Sequence, residues 1–367
     1  MEAPIRILHI VTHMNRGGLE TMIMNYYRHI DRNKVQFDFL VHRKSYADYD
    51  AEIESLGGII HRLPPLNPFS FKYRAALNHF FAAHKEYQIV HCHLDCMAGF
   101  PLKFAQKNGI PTRIAHSHSS NQDKNLKYPL KLYYKKKIPK YSTVQMACSD
   151  AAGKWMFGGY PFTVINNAID TELYRYSVDT RNAVRNELGI DNNAKVVGHV
   201  GRFCPVKNHS FLLEVFAKIK EQLPSAVLLL VGDGELRANI ESKIQTMGLS
   251  DSVIMTGVRS DVPHLLQAMD VFLFPSLYEG LGISVIEAQT AGLPCVVSHT
   301  VPPECMITNL VQKISLDETV AVWSQHILNT IFVPRLCTLE EIQKAGFDIQ
   351  QNAINLQQLY LNIHSKG

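Results

Sequence analysis

Short apolar runs alternate with longer amphipathic stretches along almost the whole chain. Compact apolar runs ended by Gly, Pro or polar residues read as buried strands, and apolar positions recurring every three or four residues read as helices packed on them. In the first half the strands fall near Arg6–Thr12, Gln36–Val41, Ile59–Leu63, Ile89–His93, Arg113–His116 and Val144–Ala147. In the second half they fall near Val196–Val200, Ala226–Val231, Val253–Thr256, Val271–Phe274 and Cys295–Val297. Such alternation predicts an α/β, doubly wound architecture in each half. The polar segment from Asn166 to Asn193 interrupts it, so a domain boundary belongs there. From Leu339 to His364 the pattern is helical, with no strand after it.

Composition sharpens this picture. A length of 367 residues suggests two domains, and 46% hydrophobic against 19% charged residues is enough apolar material for two cores. No apolar run reaches about 18 residues, so no transmembrane helix is expected. The N-terminus lacks a basic-then-apolar signal layout, and Ile5–Val11 reads as a first buried strand. Seven cysteines, scattered and odd in number, suggest reduced thiols in a cytoplasmic protein. Cys92 and Cys96 with His91 and His93 match no standard zinc spacing.

The candidate chemistry starts at Phe274-Pro-Ser-Leu-Tyr-Glu279-Gly280-Leu281-Gly282-Ile-Ser-Val-Ile-Glu287. A strand runs into a turn with two glycines, and a helix opens near Ile283. A helix N-terminus gathers backbone N–H groups and positive dipole charge, so it can hold a phosphate. Gly280 and Gly282 let the backbone approach a ligand closely. Glu279 and Glu287 suit hydroxyl groups, such as those of a sugar and a ribose, although acids at a helix start are also favourable on their own. A second strand-turn-helix unit, Val197-Gly198-His-Val-Gly201-Arg202-Phe-Cys-Pro-Val-Lys207-Asn208, puts two cations where parallel strands end. Arg202 and Lys207 could hold a diphosphate, or stand as a solvated surface pair. Together the two segments point to a sugar nucleotide.

Gly201-Arg202 with Lys207, Leu228-Leu-Leu-Val-Gly232-Asp233-Gly234 and Glu279-x7-Glu287 resemble the C-terminal half of glycosyltransferase family 4. Asn15-Arg16-Gly17-Gly18-Leu19-Glu20 and Val164-Ile-Asn-Asn-Ala-Ile-Asp-Thr-Glu-Leu-Tyr match the same family, so the likeness covers essentially the whole chain. It looks nearest to bacterial exopolysaccharide-biosynthesis members. The resemblance implies the GT-B fold: two Rossmann-like doubly wound domains facing a cleft. Domain limits are then expected at 1–168 (acceptor-binding), 169–345 (nucleotide-sugar-binding) and 346–367, a last helix that crosses back to the N-terminal domain. It implies a retaining transfer from a nucleotide diphosphate sugar, uridine being the commoner base, to a lipid-linked or oligosaccharide acceptor in exopolysaccharide or capsule assembly. Glu279 is expected at sugar hydroxyls, Glu287 at the ribose, and Gly17, Gly18, Gly280, Leu281 and Gly282 along the donor. Where many members carry Gly-Gly-x-x-Glu after the last strand, this chain has His299-Thr-Val-Pro-Pro-Glu304.

Family members carry a histidine near the anomeric carbon at the loop matching Ile114-Ala-His116-Ser-His118-Ser-Ser. By alignment that role goes to His118, with His116 as the alternative. Asp48-Tyr-Asp50 imitates a cation-binding Asp-x-Asp, but its surroundings read as an exposed helix capped by Gly57. With Arg202, Lys207 and a helix N-terminus at the diphosphate, no metal and no other cofactor is expected. Gly17-Gly18 lacks the full Gly-x-Gly-x-x-Gly fingerprint, which argues against a nicotinamide dehydrogenase. A GT-B sugar-nucleotide epimerase and a non-catalytic nucleotide-binding subunit are the remaining alternatives. Finally, Lys124, Lys127, Lys131, Lys135, Lys136, Lys137 and Lys140 interleave with Leu and Tyr, with no acid between Lys124 and Lys140. Such a segment suits an anionic membrane surface, or else a solvated helix face. Nucleic acid is a poorer explanation for it, since nothing else in the chain resembles a nucleic-acid module.

Overall fold

A computed structural model describes residues 3–119 and 128–365. The chain divides into two compact units: residues 1–169 with 348–367, and residues 170–347. Unit 1 holds the strands β1 (Ile5–Val11), β2 (Val35–Val41), β3 (Ile60–Arg62), β4 (Ile89–Cys92), β5 (Thr112–Ser117), β6 (Val144–Ala147) and β7 (Thr163–Val164). Unit 2 holds β8 (Val196–Val200), β9 (Val227–Val231), β10 (Val253–Gly257), β11 (Val271–Phe274), β12 (Cys295–Ser298) and β13 (Val311–Ile314). All pairings are parallel, in the orders β3-β2-β1-β4-β5-β6-β7 and β10-β9-β8-β11-β12-β13. In each sheet the strand order reverses beside the first strand, at β1/β4 and at β8/β11. Connections leave that point in opposite directions, which opens a crevice at the carboxyl ends of the two strands.

Burial explains which runs became strands. Every residue of β2 is buried, as are all four of β4, β11 and β12. Gly198 in β8 packs so closely that a Cβ there would lie 2.0 Å from the sulfur of Met269. Helices begin at side-chain caps from Ser70, Ser149, Ser177, Thr319 and Asp348. The tail is two helices, Leu339–Lys344 and Ile349–His364, separated at Gly346 with φ +82°. The second packs in unit 1 against the helix Gly18–His29, burying Leu356 and Tyr360 in its core.

Three expectations need correction. The polar stretch read as an interruption contains the helix Val178–Glu187, and β7 and β13 extend the two sheets. The helix expected around Asp48 and Asp50 begins only at Asp50 and runs Asp50–Ser55, although Gly57 does take the left-handed conformation with φ +88°. Asp50 is not solvated: it is buried, accepts from Arg62 at 2.6 Å and caps the Ala47 N–H at 2.7 Å. Asp48 stays exposed and accepts the Arg16 N–H at 3.0 Å. The two carboxylates therefore serve separate local contacts.

Each core contains a polar knot. In unit 2, Arg185 is fully buried and donates to Asp270 at 2.7 Å and to the carbonyls of Ala268, Asn192 and Ala194 at 3.0 Å. Asp270 also takes Arg181 at 2.7 Å and the Val196 N–H at 2.8 Å, so it fixes the start of β8. In unit 1, β1, β4 and β5 bring histidines into register. His9 Nδ1 lies 3.0 Å from His93 Nε2, and His93 Nδ1 lies 2.9 Å from His118 Nε2. His91 spans from the Tyr360 hydroxyl, at 2.6 Å, to His116 Nδ1, at 3.0 Å. Burial lowers all five, His9 and His118 to about 3, so the cluster is neutral at physiological pH.

Asp270→Ala strands the Arg185 guanidinium in the core, and loss of one partner of a buried pair costs about 3–5 kcal/mol. Urea unfolding should show the unit 2 transition shifted by that amount; an unchanged midpoint would count against the knot. The histidines give a pH test. In the unfolded chain each regains a proton near pH 6.5 that the folded state refuses, so stability falls as pH drops through that value. Each histidine then removes about 2 kcal/mol between pH 7 and 5. Asp95, raised to about 6 by burial, opposes with a single proton. The unit 1 unfolding midpoint should therefore drop steeply over this window; a flat profile would mean the histidines are solvated.

Candidate functional site

The crevice of unit 2 is built by the loops after β8 and β11, which pair through Val197 with Val271 and Gly198 with Phe272. The Leu277 N–H donates to the Val206 carbonyl at 2.8 Å and ties the loops together. Across that tie, Lys207 Nζ donates to Glu279 Oε1 at 2.6 Å, and the same ammonium stands 4.6 Å from the centre of the Phe274 ring. Both side chains are mostly buried, at 16% and 11% exposure, which sets this pair apart from a solvated surface bridge. Gly201 is needed beside it. A Cβ there would approach Lys207 Cε to 3.3 Å and His199 Nε2 to 3.0 Å, pushing the lysine out of place.

Gly282 caps the helix Ile283–Thr290 with φ +88°, a left-handed conformation that glycine adopts without strain. Leu281 is buried, its carbonyl held by the thiol of Cys305. Glu287 lies one turn into the helix, is buried, and accepts from the Tyr174 hydroxyl at 2.8 Å. Burial raises its pKa above the ordinary carboxylate value, and the tyrosine hydrogen bond opposes only part of that rise. Tyr174 is a neighbour of Glu287 that sequence reasoning did not single out; the chain brings it in from the turn Thr171–Tyr174. Arg202 differs from Lys207: it is 73% exposed and pairs with Glu235 at 3.0 Å. The structure therefore joins Lys207, Glu279, the glycine turn and Glu287 around one strand-end crevice, with Arg202 at its open rim.

In unit 1, Gly17 caps the helix Gly18–His29 in an extended conformation, after β1. His116 is the penultimate residue of β5, within the histidine cluster, and His118 follows the strand, half-buried, with its ring 4.1 Å from that of His116. The His118 backbone N–H donates to Asp95 at 2.9 Å, and Asp95 itself takes the unusual φ of +44°. Both histidines offered for the role thus lie at one strand end, and only His118 reaches toward solvent.

Of the basic segment, Lys124 and Lys127 lie outside the described residues. The rest forms two short helices, Tyr128–Lys135 and Ile138–Tyr141, joined by a turn at Lys136 and Lys137, rather than one long amphipathic face. Lys135 lies 4.0 Å over the Trp155 ring and is therefore not a free surface cation, whereas Lys136 and Lys140 are exposed. Among the described residues no helix is long and apolar enough to cross a membrane.

Residues 16–173 match the description "Glycosyltransferase Family 4", and residues 180–329 match "Glycosyl transferases group 1". The EpsF protein of Bacillus subtilis (strain 168) is 35% identical over 97% of this chain and 96% of its own length. The UDP-Gal:alpha-D-GlcNAc-diphosphoundecaprenol alpha-1,3-galactosyltransferase of Escherichia coli is 28% identical over 76% of each chain. Among solved structures, Anabaena Alr3699/HepE in complex with UDP-glucose superposes with a TM-score of 0.79 over 98% of this chain and 99% of that one, at 19% identity. The fold agreement covers both sheets, and the sequence agreement runs nearly end to end. The chain belongs to glycosyltransferase family 4 and is a glycosyltransferase of the GT-B fold.

Proposed function

We propose that the protein is a retaining transferase that moves a sugar from a UDP-linked donor to a lipid-linked glycan during exopolysaccharide or capsule assembly. The observation that carries this reading is the buried Lys207–Glu279 pair at the mouth of the β8/β11 crevice, beside the helix that opens after Gly282. An ammonium has three donors and Glu279 takes one, which leaves Lys207 able to meet a diphosphate as well. The relatives' chemistry supports the substrate class: one is named for transfer from UDP-galactose to a diphosphoundecaprenol-linked sugar, and another was solved with UDP-glucose.

In this reading the β-phosphate leaves as positive charge develops on the sugar ring. Lys207 and the helix N-terminus meet the departing charge, where preorganised electrostatics contributes most. Arg202 joins them by leaving Glu235, an exposed bridge worth about 0–1 kcal/mol at most. Glu279 orients Lys207 and accepts a sugar hydroxyl. Glu287, held by Tyr174, receives the ribose, while the loop at Gly17 and Gly18 gives backbone access to the donor. His118 is assigned to the anomeric carbon. The departing phosphate takes the acceptor's proton on the same face, so no nucleophilic carboxylate and no metal are required. The exposed Lys136 and Lys140, with the partly exposed Lys137 between them, hold the enzyme at an anionic inner membrane face.

Glu279→Gln should lower turnover at least about tenfold, roughly 1.4 kcal/mol, with the fold intact. Lys207→Ala should lose about 2–3 kcal/mol of transition-state stabilisation, since it also leaves the Glu279 charge facing the diphosphate. Transfer assays with chelator present should keep full activity. Wild-type turnover in either variant, or a strict need for added magnesium or manganese, contradicts the assignment. For the membrane, Lys136, Lys137 and Lys140 changed together to Gln should reduce sedimentation with anionic liposomes, as should added salt for the parent. Equal binding by parent and variant would return this segment to an ordinary solvated surface.

A further inference from the structure

The histidine cluster of unit 1 carries more chemistry than one catalytic imidazole requires. Three neutral rings in the row His9–His93–His118 hold three N–H groups, and the row makes only two internal hydrogen bonds. One N–H is therefore left over at one end, and a bare lone pair at the other. Among the described residues the end atoms, His9 Nε2 and His118 Nδ1, have no partner, and neither does His116 Nε2 in the second row. His9 and His116 are 2% and 1% exposed, so water does not freely satisfy them. An unmet buried donor costs about 1–3 kcal/mol.

We propose that His93, His116 and His118 form a binding site for a divalent transition-metal ion of the zinc type, and that occupancy withdraws His118 from the transfer reaction. Each ring offers a nitrogen within 4.8 Å of the other two. His93 Nδ1 and His118 Nε2 already face each other at 2.9 Å. Two nitrogens bound to one tetrahedral zinc at 2.0–2.1 Å stand about 3.4 Å apart, so a small parting of the rings admits the ion. The donor set is all imidazole, which suits zinc, copper, nickel or cobalt and not magnesium or calcium. A second trio, His9, His91 and His93, also meets the distance condition. All three of its members are buried beneath Phe37 and Tyr360, whereas His118 is half-buried and gives an ion a way in. Three protein ligands leave a fourth position for water. This site is separate from the diphosphate contacts of unit 2, so activity in chelator and inhibition by zinc are compatible. The inhibitory part rests on the role proposed above for His118; the binding part does not.

The test uses the full chain carrying Cys337→Ser, which removes an exposed thiol that would compete for metal. Cobalt(II) titration should give one equivalent with the intense visible bands of a tetrahedral site, displaced by one equivalent of zinc. His116→Gln and His118→Gln should each weaken uptake at least tenfold, and His9→Gln should retain it. Thermal unfolding checks that each variant is folded. Zinc at the concentration that saturates binding should suppress turnover at least tenfold, reversed by chelator. No uptake by the parent overturns the site and leaves a neutral imidazole row. Uptake lost in His9→Gln but kept in His118→Gln also overturns it, in favour of the deeper trio. Uptake without inhibition would refute the role of His118 and leave the metal site standing.

Discussion

Lys207 and Glu279 are 72 residues apart in the chain, and they meet at 2.6 Å because β8 and β11 are neighbours in the sheet. That adjacency is the constraint on which the candidate donor site depends. The chain leaves β8 to pair β9 on one side and returns to β11 on the other, so the two following loops part and leave their strand ends open. Close packing then fixes the details. Gly201 keeps room for the lysine stem, Phe274 presents its ring face to the ammonium, and the Leu277–Val206 hydrogen bond holds the loops in register. Asp270 adds a remote condition, since its bond to the Val196 N–H anchors the start of β8. A change in any of these moves the cation that a diphosphate would meet.

The two units use one topology for opposite electrostatic ends. At the reversal in unit 2 stand charged groups, a cation with a carboxylate and a helix N-terminus. At β1/β4 in unit 1, and on the adjacent β5, stand imidazoles that burial keeps neutral. Neutral rings can hydrogen-bond in rows and offer lone pairs, which charged rings cannot. The same burial that makes them useful makes unit 1 sensitive to acid. The last helix takes part in this, because the Tyr360 hydroxyl closes one of the rows.

Much of the fold was legible because parallel strands buried on both faces read as apolar runs; β8 and β11 appear in the sequence with their observed limits. What escaped was polar. β7 has two exposed residues, and Val-Gln-Lys-Ile of β13 is half-exposed at the sheet edge. The helix Val178–Glu187 docks through the guanidiniums of Arg181 and Arg185 on backbone carbonyls and Asp270, contacts that a hydrophobic pattern cannot display. Spacing likewise pointed to Glu279, Glu287 and Lys207, because strand-turn-helix signals flank them. It could not reveal Tyr174, which approaches Glu287 from 113 residues away, nor the meeting of His9 in β1 with His93 and His118, which follow the ends of β4 and β5. For Asp50 the sequence suggested solvent, and only the fold supplies Arg62.

Lys207 could act upon a diphosphate or merely stabilise the loop pair. Calorimetric titration of UDP and of uridine into the parent and Lys207→Met separates the two roles. If the lysine holds phosphate, the variant should lose at least about tenfold in affinity for UDP, roughly 1.4 kcal/mol, while its affinity for uridine stays unchanged. Equal affinity of parent and variant for UDP, or a loss of the same size for uridine, would contradict the donor site described here.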